Sequence, residues 1–248
     1  MELNKIYNED CLIGMKEIPD KSIDMILCDL PYGTTRNKWD TVIPLNWLWD
    51  EYNRVIKDNG AIVLTAQTPF DKVLGVSNIE NLKYEWIWQK PSGTGHLNAK
   101  KMPLKNHENI LVFYKKFPTY NPQFTEGKAY KARSGRASSN YGPQKSVTTQ
   151  NHGQRYPLSV QNFNKENGLH PTQKPVALFE YLIKTYTNEG ETVMDNCMGS
   201  GTTAIACMNT NRNFIGFELD EHYYNVAMKR LNNHDPHKQI DLFEMLDN

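Results

Sequence analysis

Short apolar runs alternate with amphipathic segments along most of the 248-residue chain. The apolar runs predict buried strands because polar or glycine-containing turns bound them, whereas the amphipathic segments repeat apolar residues at helical spacing. The predicted strands cover residues 1–11, 23–29, 61–66, 84–89, 108–114, 193–195 and 213–217. The predicted helices cover residues 12–20, 44–58, 69–75, 176–187 and 221–232, and a further helix starts at residue 202.

Alternating strands and helices predict an α/β fold, with a mostly parallel twisted sheet and helices on both faces. Residues 84–89 and 108–114 follow one another without a helix between them, so we expect an antiparallel hairpin at the sheet edge, joined by a loop over residues 90–106. Asn59 and Gly60 are predicted to end the helix over residues 44–58.

Charge is unevenly distributed, although the formal net charge is zero. Residues 90–174 hold 14 of the 28 Lys and Arg residues but 3 of the 28 Asp and Glu residues. Within this stretch, residues 116–168 lose regular apolar periodicity and are rich in Gly, Ser, Asn, Gln, Lys, Arg and Tyr. A basic insertion in an acidic body is typical of a protein that binds a polyanion, and a solvated basic loop is the plainer alternative.

The four cysteines occupy positions 11, 28, 197 and 207, and no two of them form a CxxC pair. A zinc site, or any other metal site, is therefore not expected, and buried thiols in a reducing compartment are the simpler interpretation. We find no signal peptide and no long apolar run, which predicts a soluble cytoplasmic protein without a membrane partner.

An unusual tetrapeptide follows the predicted strand over residues 23–29. Asp29 ends the strand, and Leu30, Pro31 and Tyr32 come next. A carboxylate and nearby carbonyls can accept hydrogen bonds from an exocyclic amine, while Pro31 restrains the backbone and Tyr32 offers a ring for stacking. Taken alone, the tetrapeptide is equally compatible with an ordinary strand end.

A second motif lies near the carboxyl end of the chain. A strand ends at Asp195, and a loop containing Gly199 and Gly201 leads into the helix that starts at Thr202. The next strand ends in Glu218, and an acid about 20 residues beyond such a loop is where nucleotide-binding folds hold ribose hydroxyls. A phosphate-binding Gly-Lys-Ser/Thr and the full dinucleotide glycine pattern are both missing, so a nucleoside ligand without a pyrophosphate fits better.

Together these motifs resemble those of the S-adenosylmethionine-dependent DNA amino-methyltransferases. Residues Asp29–Tyr32 look like their catalytic Asp-Pro-Pro-Tyr, and Asp195–Gly201 looks like their cofactor loop. The catalytic motif precedes the cofactor motif, as in the β class of this family. The resemblance extends to Ile6–Cys11 and to His170–Pro175, whereas residues 116–165 match no known motif.

The resemblance implies a Rossmann-like methyltransferase fold with a circularly permuted motif order. Residues 1–115 would form the catalytic half, residues 116–168 a basic insertion that recognises the target, and residues 169–248 the cofactor-binding half. The implied activity is site-specific methyl transfer from S-adenosylmethionine to the N6 of a flipped-out adenine in double-stranded DNA, without a covalent intermediate. The implied catalytic residues are Asp29, Leu30, Pro31 and Tyr32. The implied cofactor-binding residues are Asp10, Cys11, Asp29, Thr172, Lys174, Asp195, Cys197, Gly199, Gly201, Thr202 and Glu218.

The sequence departs from the family pattern at two places. Leu30 replaces the usual first proline. Asn196 and Cys197 stand where a Pro-Phe pair is common, so this chain has no aromatic ring at that position. Three alternatives remain open: an N4-cytosine DNA methyltransferase, an RNA base methyltransferase, and a DNA-binding protein that has lost catalysis. Dimerisation is common among the enzymes that the chain resembles, but neither a homodimer nor a restriction endonuclease partner can be read from the sequence.

Overall fold

A computed structural model of the chain describes residues 1–33, 37, 40–134, 142, 146–166, 168–169 and 171–234. These residues fall into two compact units, a larger one within residues 1–121 and 159–234 and a smaller one within Pro122–Leu158. The strands are β1 (Lys5–Tyr7), β2 (Ile23–Asp29), β3 (Ile56–Ala66), β4 (Leu82–Thr94), β5 (Lys105–Phe113), β6 (Thr125–Glu126), β7 (Tyr130–Ser134), β8 (Val147–Asn151), β9 (Gln154–Arg155), β10 (Val160–Asn162), β11 (Thr192–Asp195) and β12 (Asn213–Phe217). The α-helices are α1 (Cys11–Gly14), α2 (Leu45–Val55), α3 (Phe70–Ser77), α4 (Val176–Tyr186), α5 (Thr202–Asn209) and α6 (Glu221–Asn232).

Within the described residues, eight strands of the larger unit form one sheet in the order β1-β12-β11-β2-β3-β5-β4-β10. Neighbouring strands run parallel, except that β5 is antiparallel to both β3 and β4. The predicted α/β class, the mostly parallel sheet and the antiparallel hairpin are thus confirmed. Strand β10 lies within the predicted insertion, yet it pairs with β4 and covers the outer edge of the hairpin.

Helices cover both faces of this sheet, as predicted. Helices α1, α2 and α3 pack on one face, where Ile26 and Cys28 of β2 lie, and helices α4, α5 and α6 pack on the other, where Met25 and Leu27 lie. Because successive side chains of a strand point to opposite faces, one apolar strand supplies both cores.

Helix α2 ends earlier than predicted. It stops at Val55, and β3 begins at the next residue, so Asn59 and Gly60 lie within the strand. An added Cβ at Gly60 would meet the Ile56 side chain at 2.6 Å and the Asp24 carbonyl oxygen at 2.8 Å. The glycine therefore permits a close approach of β3 to β2, at a register shift between the two strands.

Other boundaries also differ from the predictions. Strand β1 ends at Tyr7, and Asp10 instead caps helix α1, where its Oδ1 accepts a hydrogen bond from the Leu12 N–H at 2.8 Å. Strands β4 and β5 extend into the predicted 90–106 loop, which shortens it to residues 95–104. In the described part of the chain, no helix is both long and apolar enough to cross a membrane.

The described residues of the smaller unit form two antiparallel strand pairs, β6 with β9 and β7 with β8. Few apolar side chains are available to it, and aromatic contacts hold it together. Phe124 and Tyr156 lie 4.8 Å apart between ring centroids, and the guanidinium of Arg155 lies 4.7 Å above the ring of Tyr130. The predicted loss of apolar periodicity in this region thus corresponds to short, exposed strands.

Candidate active site

The carboxyl ends of β2, β11 and β12 border a cavity of about 590 Å³ in the larger unit. Ligands bind at this edge in open α/β sheets because the loops that follow parallel strands meet there. All of the sequence-predicted site residues except Gly201 line the cavity: Asp10, Cys11, Asp29, Leu30, Pro31, Tyr32, Thr172, Lys174, Asp195, Cys197, Gly199, Thr202 and Glu218.

Asp29 lies at the centre of a hydrogen-bond cluster. Its Oδ1 accepts from the hydroxyl of Tyr32 at 2.6 Å and from the hydroxyl of Thr65, and its Oδ2 pairs with the ammonium group of Lys174. An ionised carboxylate offers about four acceptor sites. Three are filled here, which leaves roughly one for a ligand in the cavity.

Tyr32 is held on two sides. Its ring stacks on Phe70 with 5.4 Å between centroids, and its hydroxyl also lies 3.1 Å from the Thr65 hydroxyl. Burial raises the pKa of Tyr32, and the nearby Asp29 raises it further. The hydroxyl therefore stays protonated and acts as a donor to the carboxylate.

Lys174 joins two acids. Besides Asp29, its ammonium group lies 3.4 Å from Oε2 of Glu108, whose other oxygen pairs with Lys90. Burial lowers the pKa of Lys174, but Asp29 and Glu108 outweigh burial and raise it overall. Burial raises the pKa of Glu108, but Lys174 and Lys90 outweigh that effect and lower it. Lys174 and Glu108 are therefore both charged near neutral pH.

Sequence reasoning missed Glu108, Lys90 and Thr65. The alternation of strand residues gave a signal for their orientation. Glu108, Lys90 and Thr65 are each two positions from a core residue of the same strand, so they lie on the same sheet face as that core residue. The resemblance implied that Lys174 contacts the cofactor. In the structure its ammonium group is turned to the two acids, because a buried cation is stabilised where carboxylates can pair with it.

The loop after β11 is organised by Asp195, whose side chain is 2% exposed. Its carboxylate accepts from the Thr203 hydroxyl and from the Cys197 N–H at 3.0 Å. Burial raises the pKa of Asp195 to about 6. Asn196 replaces a common proline. Its Oδ1 accepts a hydrogen bond from the buried Tyr52 hydroxyl, and its Nδ2 lies 3.6 Å from the sulfur of Cys11. Asn196 thus departs from the family pattern and makes buried polar contacts that a proline could not make.

Glu218 follows β12 and accepts two backbone hydrogen bonds. Its Oε2 accepts from the Gly199 N–H at 2.7 Å, and its Oε1 accepts from the Asp220 N–H at 2.9 Å. Burial raises the pKa of Glu218. Each oxygen retains acceptor capacity for a further donor in the cavity.

The two glycines of the loop have different surroundings. Gly199 has φ of +53°, and an added Cβ there would meet no atom within 4 Å, which is consistent with its position at the cavity. Gly201 has φ of +81°, and an added Cβ would lie 3.1 Å from Leu231 and 3.2 Å from Ala227. Gly201 therefore packs against helix α6 and does not line the cavity.

The side chain of Leu30 is 3% exposed and packs into the core beneath α1, α2 and α3, so an apolar residue suits the position of the usual proline. His170, which belongs to the predicted His170–Pro175 block, lies outside the described residues. Among the residues that the structure does describe, no group of three or more His, Cys, Asp or Glu is arranged to hold a metal ion.

A family model described as "DNA methylase", for N6 and N4 methyltransferases, matches residues 23–229. DNA adenine methyltransferase YhdJ of Escherichia coli K12 is 30% identical, over 93% of this chain and 83% of the relative. Type II methyltransferase M.BglII of Bacillus subtilis is 29% identical, over 92% of this chain and 69% of the relative.

Solved structures give the same result for the fold. The M1.HpyAVI–SAM complex is similar with a TM-score of 0.65 and 27% identity, covering 91% of this chain and 98% of that one. The cytosine-N4-specific PvuII DNA methyltransferase has a TM-score of 0.67 at 17% identity, covering 94% of this chain and 88% of that one, which shows a shared fold alone.

Proposed function

Because the chain belongs to the DNA methylase family and its members use S-adenosylmethionine, we propose that it methylates the exocyclic N6 of adenine in double-stranded DNA. The observation that carries this proposal is the Asp29 carboxylate, held at the cavity with an acceptor site open beside Tyr32. A relative at 30% identity is named a DNA adenine methyltransferase, which favours the same target base.

The residues around the loop after β11 fit the cofactor. A cavity of about 590 Å³ lies within the usual size range of small-molecule sites. Glu218 has free acceptor capacity for the ribose hydroxyls, and Gly199 leaves space for the methionine part. Asp10 would face the adenine amine. Of the remaining assigned residues, Cys11, Thr172, Asp195, Cys197 and Thr202 would line the same ligand.

The cofactor, when bound, supplies an electrophilic methyl group on a sulfonium. The amine nitrogen of adenine is a poor nucleophile because its lone pair is delocalised into the ring. Asp29 and a backbone carbonyl near Leu30 would accept hydrogen bonds from its two protons, which raises its electron density and directs its lone pair. As the carboxylate in contact with the amine, Asp29 would also accept the proton that the nitrogen releases. Positioning of this kind accounts for much of enzymatic rate acceleration.

A base inside a duplex cannot reach this cavity, so the adenine must be flipped out and would then lie against Tyr32. The basic residues between positions 90 and 174 would bind the DNA backbone, and exposed Lys128, Lys131 and Arg133 of the smaller unit belong to this set. Phosphate contacts hold the enzyme on DNA, while side chains of the same region would read the bases.

The first experiment incubates the purified protein with labelled S-adenosylmethionine and mixed-sequence double-stranded DNA, followed by nucleoside analysis. We expect N6-methyladenine from the native protein and none from Asp29→Asn, with DNA affinity retained because the basic region supplies most of it. N4-methylcytosine would overturn the target base, and product from Asp29→Asn at the native rate would overturn the catalytic assignment. Absence of product on both DNA and RNA, with S-adenosylmethionine bound, would overturn the proposed activity.

We extend the proposal to the cellular setting, where the enzyme would act on DNA in the cytoplasm. M.BglII is named a type II methyltransferase, so a restriction endonuclease partner stays a prediction for this chain. Homodimerisation also stays a prediction, and sedimentation of the purified protein with and without DNA tests it.

A further inference from the structure

On the sheet face that helices α4, α5 and α6 cover, the apolar core ends in a row of polar side chains. Four adjacent strands contribute to it, and in each the polar residue lies two positions from a buried apolar one. The row is Asp29 beyond Leu27 in β2, Thr65 beyond Val63 in β3, Glu108 beside Ile110 in β5, and Lys90 beyond Trp88 in β4. Register places Asp29 opposite Thr65, Thr65 opposite Ile110 and Glu108 opposite Trp88. The polar residue therefore lies two positions further out in β5 than in β3, and two further out again in β4, so the row runs obliquely along the cavity end of the sheet.

Lys174 crosses this row from the segment that precedes α4. Its side chain is 4% exposed, and its ammonium group contacts Asp29 and Glu108, while Lys90 pairs with the far oxygen of Glu108. The resulting chain of charges alternates in sign, from Asp29 through Lys174 and Glu108 to Lys90. One end of it is the carboxylate assigned to catalysis.

Packing alone does not explain these charges. Transfer of ions from water into a protein interior is costly, and well-packed apolar residues of similar volume are often equally stabilising. The next positions on the same face are in fact apolar, as Trp88 and Ile110 show. Charged residues here are therefore explained by what they do to the group at the end of the row.

We propose that Lys174 and Glu108 are positioning residues for the Asp29 carboxylate. Lys174 occupies one acceptor site of Oδ2 and holds the carboxylate in one orientation, so that its remaining acceptor site is available to the substrate amine. Glu108, held by Lys90, acts through Lys174 by fixing the ammonium group against Asp29. This inference rests on the proposed methyl transfer and adds the groups that make Asp29 competent for it.

The test uses Lys174→Met, Lys174→Arg, Glu108→Gln and the double variant Lys174→Met with Glu108→Gln. The matched control is Lys57→Met. Lys57 of β3 pairs with Asp24 of β2 at 2.6 Å, on the strands that carry Thr65 and Asp29, and this pair does not line the cavity. Each protein is assayed for single-turnover methyl transfer, for steady-state kcat and KM, for S-adenosylmethionine Kd by calorimetry, and for its melting temperature.

We expect kcat to fall about 100-fold in Lys174→Met, the size of effect that a misplaced catalytic group produces. Glu108→Gln should lower kcat about tenfold, as loss of a charged hydrogen bond does. S-adenosylmethionine Kd should stay within about threefold in both, because neither charge is needed for the cofactor contacts at Glu218 and Gly199. Lys174→Arg should recover part of the lost kcat because it keeps the charge, and Lys57→Met should have native kcat.

The double variant decides whether the two residues act as a unit. If Glu108 works through Lys174, the double variant will have the kcat of Lys174→Met, whereas independent effects would multiply. Native kcat in both single variants would overturn the inference, as would a loss confined to S-adenosylmethionine Kd or a loss equal to that of Lys57→Met. If Lys174→Met does not fold, the kcat and S-adenosylmethionine Kd of Glu108→Gln and Lys174→Arg still test the positioning role. Inactivity of the native protein would instead refute the proposed function.

Discussion

The backbone N–H of Gly199 donates a hydrogen bond to Oε2 of Glu218 at 2.7 Å. This contact ties the glycine loop after β11 to the end of the adjacent strand β12. Because Asp220 donates to the other oxygen at 2.9 Å, the carboxylate is oriented before any ligand arrives. A preoriented acceptor loses little conformational freedom on binding, which favours affinity.

Glu218→Gln should weaken S-adenosylmethionine binding. The amide can present an oxygen to only one of the two backbone donors, and it has no charge to strengthen a bond to ribose hydroxyls. Loss of a charge-assisted hydrogen bond predicts a Kd increase of about 10- to 100-fold by calorimetry. Glu221→Gln, the same change on the exposed first turn of α6, is the control and should bind normally. An unchanged Kd in Glu218→Gln would refute the ribose assignment.

Tyr32→Phe should separate stacking from hydrogen bonding. The ring and its contact with Phe70 remain, but the donor to Asp29 is lost. We expect base flipping, followed by 2-aminopurine fluorescence at the target position, to stay near native while kcat falls about tenfold. Tyr32→Ala should reduce both. Native kcat in Tyr32→Phe would mean that the hydroxyl does not help to orient Asp29.

Asp195 should make stability fall as pH rises. Burial raises the pKa of Asp195 from an ordinary value of 3.8 to about 6, so between these values the folded state binds more protons than the unfolded state. The contribution of Asp195 to unfolding free energy is most favourable below about pH 4 and declines until about pH 6, by about 3 kcal/mol in total.

Urea unfolding of the native protein and of Asp195→Asn at several pH values measures this effect. The difference in unfolding free energy, native minus variant, should decrease by about 3 kcal/mol from about pH 4 to about pH 7. Other titrating groups are common to both proteins and cancel. A difference that is constant with pH would show that the carboxylate ionises as it does in water.

Gly201→Ala should destabilise the protein through helix α6. The left-handed φ of +81° costs an alanine about 1–2 kcal/mol, and the contacts with Leu231 and Ala227 add about 1 kcal/mol. Gly190→Ala is a matched control, since Gly190 has the same φ of +81° but no atom within 4 Å of an added Cβ. Equal losses of unfolding free energy in the two variants would show that the α6 contact is unimportant.

Much of the fold could be predicted because its signals are local. Strand β2 and helix α6 have the predicted bounds, 23–29 and 221–232, since apolar periodicity and capping residues act over a few neighbouring positions. The end of α2 could not be predicted in this way. Asn59 and Gly60 are typical helix-ending residues, but close packing of β3 on β2 gives Gly60 a different use.

The sequence by itself determined which chemistry is present: an acid at the end of each of three strands, Asp29, Asp195 and Glu218, and a glycine loop between them. Tertiary structure alone decided that Lys174, 145 residues from Asp29, pairs with it, and that Glu108 and Lys90 complete the charged row. The reason is physical. A strand end is specified by neighbouring residues, whereas a buried ion pair depends on strand order, register and the direction from which a distant segment enters the site.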